Sequence, residues 1–503
     1  MLPAHSFVEN SFAVAVLDHD VDPRLQRLVV RLRQHQVFFL TGAGLSAGSP
    51  TDLPTGPRVA EHLRDWAVGE GLGTRLAALA APLDLGEVAE VLEDAVGRDA
   101  VVKYLLKAVP WTRQPFNLGH LVLALLFAEG WLETSFTANW DSCTRCAGES
   151  IAGLDLACPC DIPSLRVASS PRYVHLHGQA ESPGTLVIKK KDLDEPSAMK
   201  WSQPQIAGAI ATSEAVVVGF GTEPAYVLRT LEDMLRTMGT SPAAVIDLET
   251  ENDFVAVSPR LASALGVGSP GSRYVEGRAT ESLGEVARGC YAAAAREVLV
   301  EAERRAKELA AKPLVLRPSV IEQVRSLLMD RPLADLLDWL WRAAQLADDD
   351  VALQPTLRKT AADLEAVLAG LMLLGSCTDV TAVAAVHGGV RLTRHGGDVD
   401  VWAVVPEKRV SVTTAVRRAV GASARFTRPG GTGRPLVLFC AGTDGAVPGG
   451  GHAKLLGSSA AGALTKATRP AAAVTTLDEV HRRLCTLAAR TTSPLLSDLL
   501  PLP

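Results

Sequence analysis

The sequence predicts an α/β protein in which short strands feed helices through turns of small residues, followed by a second region of helices and mixed strands. Three observations carry this expectation. Residues 37–56 read VFFLTGAGLSAGSPTDLPTG, an apolar run broken by small residues, after which Val59, Leu63 and Trp66 fall at helical spacing. The same order returns at 216–226, where a β-branched run meets Gly219 and Gly221 and then a helical series through Val227, Leu231, Met234, Leu235 and Met238. Between them, plausible strands at 132–136 and 173–176 end in polar clusters, the place where open α/β sheets collect ligands.

A chain of 503 residues is too long for one ordinary core, so two or three domains are expected. Hydrophobic residues make up 47% of it, without a long low-complexity tract, which is a globular composition. No apolar run approaches the roughly 20 residues a spanning helix needs. The opening residues, MLPAHSFVENSF, lack a basic stretch followed by an apolar one. A cytoplasmic, membrane-free protein is the expectation, and the Ala, Arg, Gly and Val content fits a bacterial source. The net charge of −6 hides an asymmetry, because residues 381–503 hold 15 Lys and Arg against 7 Asp and Glu. An acidic body with a basic C-terminal part points to two jobs, or to a solvated basic face.

Taken in order, residues 23–36 predict a helix with Leu25, Leu28, Val29 and Leu32 on one face. The strand at 37–40 then enters a loop whose glycines let backbone approach a pyrophosphate, with a helix start favouring its charge. Residues 74–109 read as packed helices, and 117–130 as another ended by its glycine. FTANWD at 136–141 sits at a strand end, where a tight turn is the alternative reading. In YVHLHG at 173–178, alternation puts Tyr173, His175 and His177 on one face and Val174 and Leu176 on the other. His177, just before glycine, is placed to exchange a proton with a ligand. His175 better fits a structural histidine bonded to a backbone carbonyl. Residues 244–248 add a strand ending in acidic groups.

These four stretches, in this order and over about 200 residues, resemble the sirtuin family: the GAG loop, the T-x-N-x-D strand end, the H-G pair and the late G-x-G turn. The resemblance implies a Rossmann-like NAD-binding domain with a small inserted module, in which NAD is consumed and not used as a hydride carrier. It implies that Gly42, Ala43, Gly44 and Ser46 hold the pyrophosphate and nearby ribose. Asn139 and Asp141 would sit by the nicotinamide ribose and carboxamide, with His177 as general base, and Gly219 and Gly221 would flank the adenosine half. Cleaving the nicotinamide bond builds an oxocarbenium-like centre, so the site must hold the leaving amide and keep a base on the ribose.

Departures from the family pattern choose a branch. The deacylases follow their loop with G-I-P-D-F-R, whereas here SPTDLPTG lacks the Phe-Arg pair. Ala138 replaces the Gln of T-Q-N-I-D, and no cysteine lies between His177 and Cys290 where their zinc module would be. The chain is more similar to the bacterial NAD-hydrolysing branch, whose members are commonly immune effectors that deplete NAD on phage infection. The implied activity is NAD+ glycohydrolysis to nicotinamide and ADP-ribose. Protein deacylation and non-catalytic NAD or ADP-ribose sensing remain as alternatives. Cys143, Cys146, Cys158 and Cys160 form C-x-x-C, eleven residues, then C-x-C, a candidate structural zinc site or a loop of free thiols.

Past 289 the resemblance ends. Residues 291–312 predict a connecting helix and 313–318 a linker, followed by helices that include 333–346 and 357–374. Val390 and Leu392 then pair across His395, Gly396 and Gly397 with 399–405 in a hairpin, 435–440 make a strand, and 442–451 a glycine-rich loop. Asp398 and Asp400 share a face, read as the solvated side of an edge strand in preference to a metal site. Lys408, Arg409, Arg417 and Arg418 carry much of the local positive charge. The expected organisation is an NAD-hydrolysing domain over 1–290, a connecting helix over 291–312, and a regulatory or oligomerisation domain over 313–503, helical to 376 and mixed α/β from 377. Control by homo-oligomerisation, by an ATPase, helicase or nuclease partner, or by nucleic acid at the basic region is expected, because an unregulated NADase would poison its host.

Overall fold

The computed structural model describes residues 21–79, 83–112, 114–151, 154–194, 201–220, 244–269, 271–310, 314–329, 357–386, 389–404, 436–440, 472–487, 490–491 and 493–500. They fall into two compact units, 21–290 and 291–500. Gly221, the helical series beyond it, the 333–346 helix, the 442–451 loop and the four named basic residues at 408–418 lie outside the described residues.

In the first unit, β1 (Val37–Thr41), β2 (Thr134–Thr137), β3 (Arg172–His175), β4 (Glu214–Val218), β5 (Ala244–Asp247) and β6 (Tyr274–Glu276) form a parallel sheet in the order β3-β2-β1-β4-β5-β6. This is a doubly wound α/β fold, and its strand order reverses between β1 and β4. At such a switch the two halves of the sheet send their connections to opposite faces and leave a crevice at the strands' C-terminal ends. All five residues of β1 are buried, as a central strand covered on both faces requires. One face packs Phe38, Leu40, Phe136, Val174 and Val217 against Ile206, Phe254 and Leu261 from the later helices.

Helix α1 (Pro23–Arg33) starts where Asp22 accepts the Arg24 N–H and Pro23 fills the first turn, and it buries the four residues its spacing predicts. Between β1 and β2 the chain inserts a helical module with its own core, comprising α2 (Gly56–Gly69), α3 (Leu85–Val96) and α4 (Arg98–Ala108). Trp140 and Cys143 belong to that core, so the module packs against the segment that follows β2. Helix α5 (Leu118–Ala128) is buried nearly all round, which suits its run of Leu, Val, Ala and Phe. Two short helices, α6 (Cys143–Glu149) and α7 (Ile162–Val167), occupy the β2–β3 connection.

The helix expected over 291–312 begins earlier. As α8 (Ala279–Leu309) it runs 31 residues and carries the chain from the first unit into the second. Leu283, Val286, Ala287, Cys290, Tyr291, Ala294 and Val298 keep one buried stripe across the expected start, so nothing ends the helix there.

In the second unit, β7 (Val380–Val386), β8 (Gly389–Arg394), β9 (Val399–Val404), β10 (Leu436–Cys440) and β11 (Ala472–Thr476) lie in the order β11-β10-β9-β8-β7. The predicted hairpin is β8–β9, pairing Val390 with Val401 and Leu392 with Val399. The edge-strand reading is corrected for Asp400. Strand β9 is interior, flanked by β8 and by a parallel β10, and Asp400 is buried against Arg391 with Nε 2.9 Å from its carboxylate.

Candidate active site

The switch point is built by three glycines. The Gly42 N–H donates to the Val218 carbonyl at 2.9 Å and the Gly44 N–H to the Gly219 carbonyl at 3.0 Å, so the loop after β1 docks on the end of β4. A Cβ on Gly42 would lie 2.6 Å from Gly219 O, and one on Gly44 2.7 Å from Gly219 Cα. Close backbone approach explains these glycines, and their N–H groups serve the docking itself. Ala43 is partly buried and Gly44 is exposed.

Ser46 is the hub of the site. It is buried, and its hydroxyl donates to Asp141 Oδ2 at 2.8 Å while accepting from Asn139 Nδ2 at 3.1 Å and from His120 Nε2 at 3.1 Å. One donor and two acceptor sites are all a hydroxyl offers, so Ser46 is saturated. The direction of the His120 bond follows from its other nitrogen. Nδ1 accepts the Asn117 N–H at 3.2 Å, so the proton of the neutral ring sits on Nε2. Asn117 caps α5, accepts the His120 N–H, and donates from Nδ2 to the Leu45 carbonyl at 2.7 Å. The helix cap thereby supports the loop that carries Ser46.

Asn139 is fixed at four points. Its N–H donates to Thr137 Oγ1 at 3.0 Å, its carbonyl accepts from His175 Nδ1 at 3.0 Å, and Nδ2 donates to Gly42 O at 3.0 Å and to Ser46. Among the described residues its Oδ1 has no donor, and the residue is partly buried, which leaves a held acceptor at the strand end. Asp141 is buried, with Oδ1 taking the Cys143 N–H at 3.0 Å. His177 is buried at the same strand end. Tyr173 and His175 meet edge to face at 5.5 Å while Val174 and Leu176 enter the opposite core, as the alternation predicts.

The structure therefore brings Gly42, Ala43, Gly44, Ser46, Asn139, Asp141, His177 and Gly219 to one end of the sheet. Two supporting residues were not singled out from the sequence, Asn117 and His120. Their signal is an N-x-x-H pattern at a helix start, where each side chain answers the other's backbone N–H.

The four-cysteine zinc reading is corrected. Among the described residues, the set whose ligand atoms lie within 4.8 Å of one another is His120, Asp141 and Cys143, and no three of the four cysteines form such a set. Cys143 sits on α6 and points toward Asp141, whereas Cys158 and Cys160 lie in an extended segment hydrogen-bonded along β3. Burial pushes the Cys158 thiol up to about 12, and burial with the Asp141 carboxylate raises that of Cys143. The His120–Asp141–Cys143 set fits a hydrogen-bond network better than a metal. A metal would need the Nε2 lone pair, and the tautomer that frees it would turn Nδ1–H against the Asn117 N–H.

Burial sets the protonation of the histidines, depressing His120 to about 4 and His177 to about 3. Both are neutral at pH 7. Below the ordinary value near 6.5 the unfolded chain takes up protons that the folded chain refuses, so their stability contribution is complete above that pH and falls with it. Between pH 7 and 5 the loss should be roughly 2 kcal/mol per histidine. Urea unfolding at the two pH values should show it, with a smaller difference in His177→Gln. An equal difference in both proteins would mean that His177 is protonated in the native state.

No model of a known protein family and no curated protein matches the sequence. Over about half its length the chain is structurally similar to Sir2 enzymes. One, described under the mechanism and regulation of Sir2 enzymes, is 14% identical with a TM-score of 0.34, covering 54% of this chain and 98% of that one. A Sir2 homolog in complex with NAD is 18% identical with a TM-score of 0.33, covering 55% and 98%. A mutant Sir2 homologue in complex with ADP-ribose is 16% identical with a TM-score of 0.33, covering 54% and 97%.

Proposed function

We propose that this chain is an NAD+ glycohydrolase that releases nicotinamide and ADP-ribose, acting as a regulated anti-phage effector. The observation that supports it best is the Ser46 hub, which locks a carboxylate, an amide and a neutral imidazole together at the switch point of a doubly wound sheet. A dinucleotide laid across that crevice meets Gly42, Gly44 and Gly219 at its middle. Its nicotinamide ribose falls on the Asn139 side. Asn139 Oδ1 would accept from a ribose hydroxyl, and the buried Asp141 carboxylate would oppose the positive charge that grows at C1′ as the glycosidic bond lengthens. Neutral His177 would act as the base toward the ribose or the attacking water, against the burial that disfavours its charged form.

Control belongs to this reading, since unregulated NAD loss would kill the host. The second unit, with the basic surplus of residues 381–503, is the part assigned to oligomerisation or to a protein or nucleic-acid partner. Among the described residues no helix is long and apolar enough to cross a membrane.

The test is product analysis on purified chain with NAD, alone and with single- or double-stranded DNA or neighbouring gene products. Nicotinamide and ADP-ribose from the wild type, lost in His177→Ala, is the expected result. O-acyl-ADP-ribose formed only with an acylated peptide would replace hydrolysis by deacylation. Bound but uncleaved NAD under every condition, with biological function intact in His177→Ala, would leave a sensor.

A further inference from the structure

Two side chains from one face of β3 reach the ends of β1 and β2. Tyr173 is buried, its hydroxyl 2.5 Å from Thr41 Oγ1. Thr137 receives the Asn139 N–H. Two residues along, His175 is buried and its Nδ1–H donates to the Asn139 carbonyl, because a carbonyl can only accept. The Asn139 carbonyl is thus held from β3 while its side chain is held from the β1 loop.

We infer that His175 is a positioning residue for the NAD-cleaving site, acting through Asn139. The carbonyl it holds closes the peptide that leads to Trp140 and Asp141, and rotation of that peptide would move the Asn139 side chain and Asp141 together. This grip holds the strand end where a free turn would leave Asn139 Oδ1 to wander. Groups that orient a reacting residue from behind typically change rate by 10- to 100-fold. The role rests on the hydrolase reading above. It assigns chemistry to a residue that a bare structural histidine would not carry, because it requires the Nδ1 donor and not merely the ring's volume.

The test compares His175→Asn, His175→Gln and His175→Leu in the full chain, alone and with Asn139→Ala. An Asn side chain places its amide nitrogen near the Nδ1 position, whereas Gln places it near Nε2. The expected result is about a tenfold fall in kcat for Leu and Gln, KM within about twofold, and most of the rate restored in Asn. In the Asn139→Ala background His175→Leu should cost less than in the wild type, leaving only what the shift of Asp141 costs, since the two residues act partly as one unit. Equal rates for Asn and Gln, or losses that multiply with Asn139→Ala, would overturn the inference. Melting temperatures of each variant separate misfolding from misplacement. Should the wild type cleave no NAD, the hydrolase reading is what fails, and the grip is then read from calorimetric binding of ADP-ribose. Weaker binding in Leu and Gln with Asn near wild type supports it, and equal affinities across the three refute it.

Discussion

Asn139→Ala is expected to lower kcat for NAD cleavage by about 10²- to 10³-fold while changing KM little. That is the scale seen when one preorganised polar group is removed from a reacting centre. The size follows from how fully this amide is constrained. Nδ2 is committed to Gly42 O and Ser46 Oγ, and both main-chain groups are bonded, so Oδ1 meets a ligand at a fixed place. Orientation is set before the ligand arrives and need not be established during the reaction. The alanine also leaves Gly42 O and the Ser46 hydroxyl each short of a donor, at a cost of about 1–3 kcal/mol if water does not replace it. Asn139→Asp sharpens the test. It keeps the shape but turns the two donors into acceptors facing a carbonyl and a saturated hydroxyl, beside the Asp141 carboxylate. It should be at least as inactive as the alanine variant despite being nearly isosteric. Nicotinamide release at saturating and limiting NAD separates kcat from KM, and a fully active Asn139→Asp would contradict the network.

The parts of this arrangement that were legible in the sequence are those written in short runs. Strand β1 and the loop after it appear as VFFLTGAG, and β4 as VVVG, because a strand buried on both faces must be continuously apolar and a close approach must be glycine. Asn139 and His177 stand out because they end strands. His120 is hidden because it lies one turn into an apolar helix, where a polar residue reads as a cap and its long-range partner, Ser46, is 74 positions away. The zinc expectation failed for a related reason. C-x-x-C and C-x-C fix local spacing, but the first pair is on a helix with Cys143 turned to Asp141 and the second runs along β3, so direction and not spacing decides. Asp400 was misread because what makes β9 interior is β10, which pairs with it from more than thirty residues downstream. Sheet order is long-range information, and no local pattern around Asp400 contains it.

Gly219→Ala is expected to lower stability by several kcal/mol and to abolish NAD binding. Gly219 sits at φ +65, a region a Cβ disfavours, and its Cβ would lie 2.7 Å from Leu45 N and 2.8 Å from Gly44 Cα. Those neighbours are backbone, so no side chain can swing away. Relief requires the β1 loop to lift from the end of β4, which breaks the Gly44-to-Gly219 hydrogen bond and displaces Ser46, only two residues further on. Left-handed strain of about 1–3 kcal/mol and overpacking of about 1–3 kcal/mol act together. For a unit of this size each kcal/mol lowers the melting temperature by roughly 2–4 °C, so a fall of about 4–24 °C is expected. The control has the opposite sign. Gly208 lies within the helix Gln203–Thr212, and a Cβ there would meet nothing within 4 Å. Gly208→Ala should therefore raise stability by about 0.5–1 kcal/mol through helix propensity alone. Thermal melts with and without NAD read both variants. A Gly219→Ala protein that melts with the wild type and still binds NAD would mean that β1 and β4 do not meet as closely as this switch point requires.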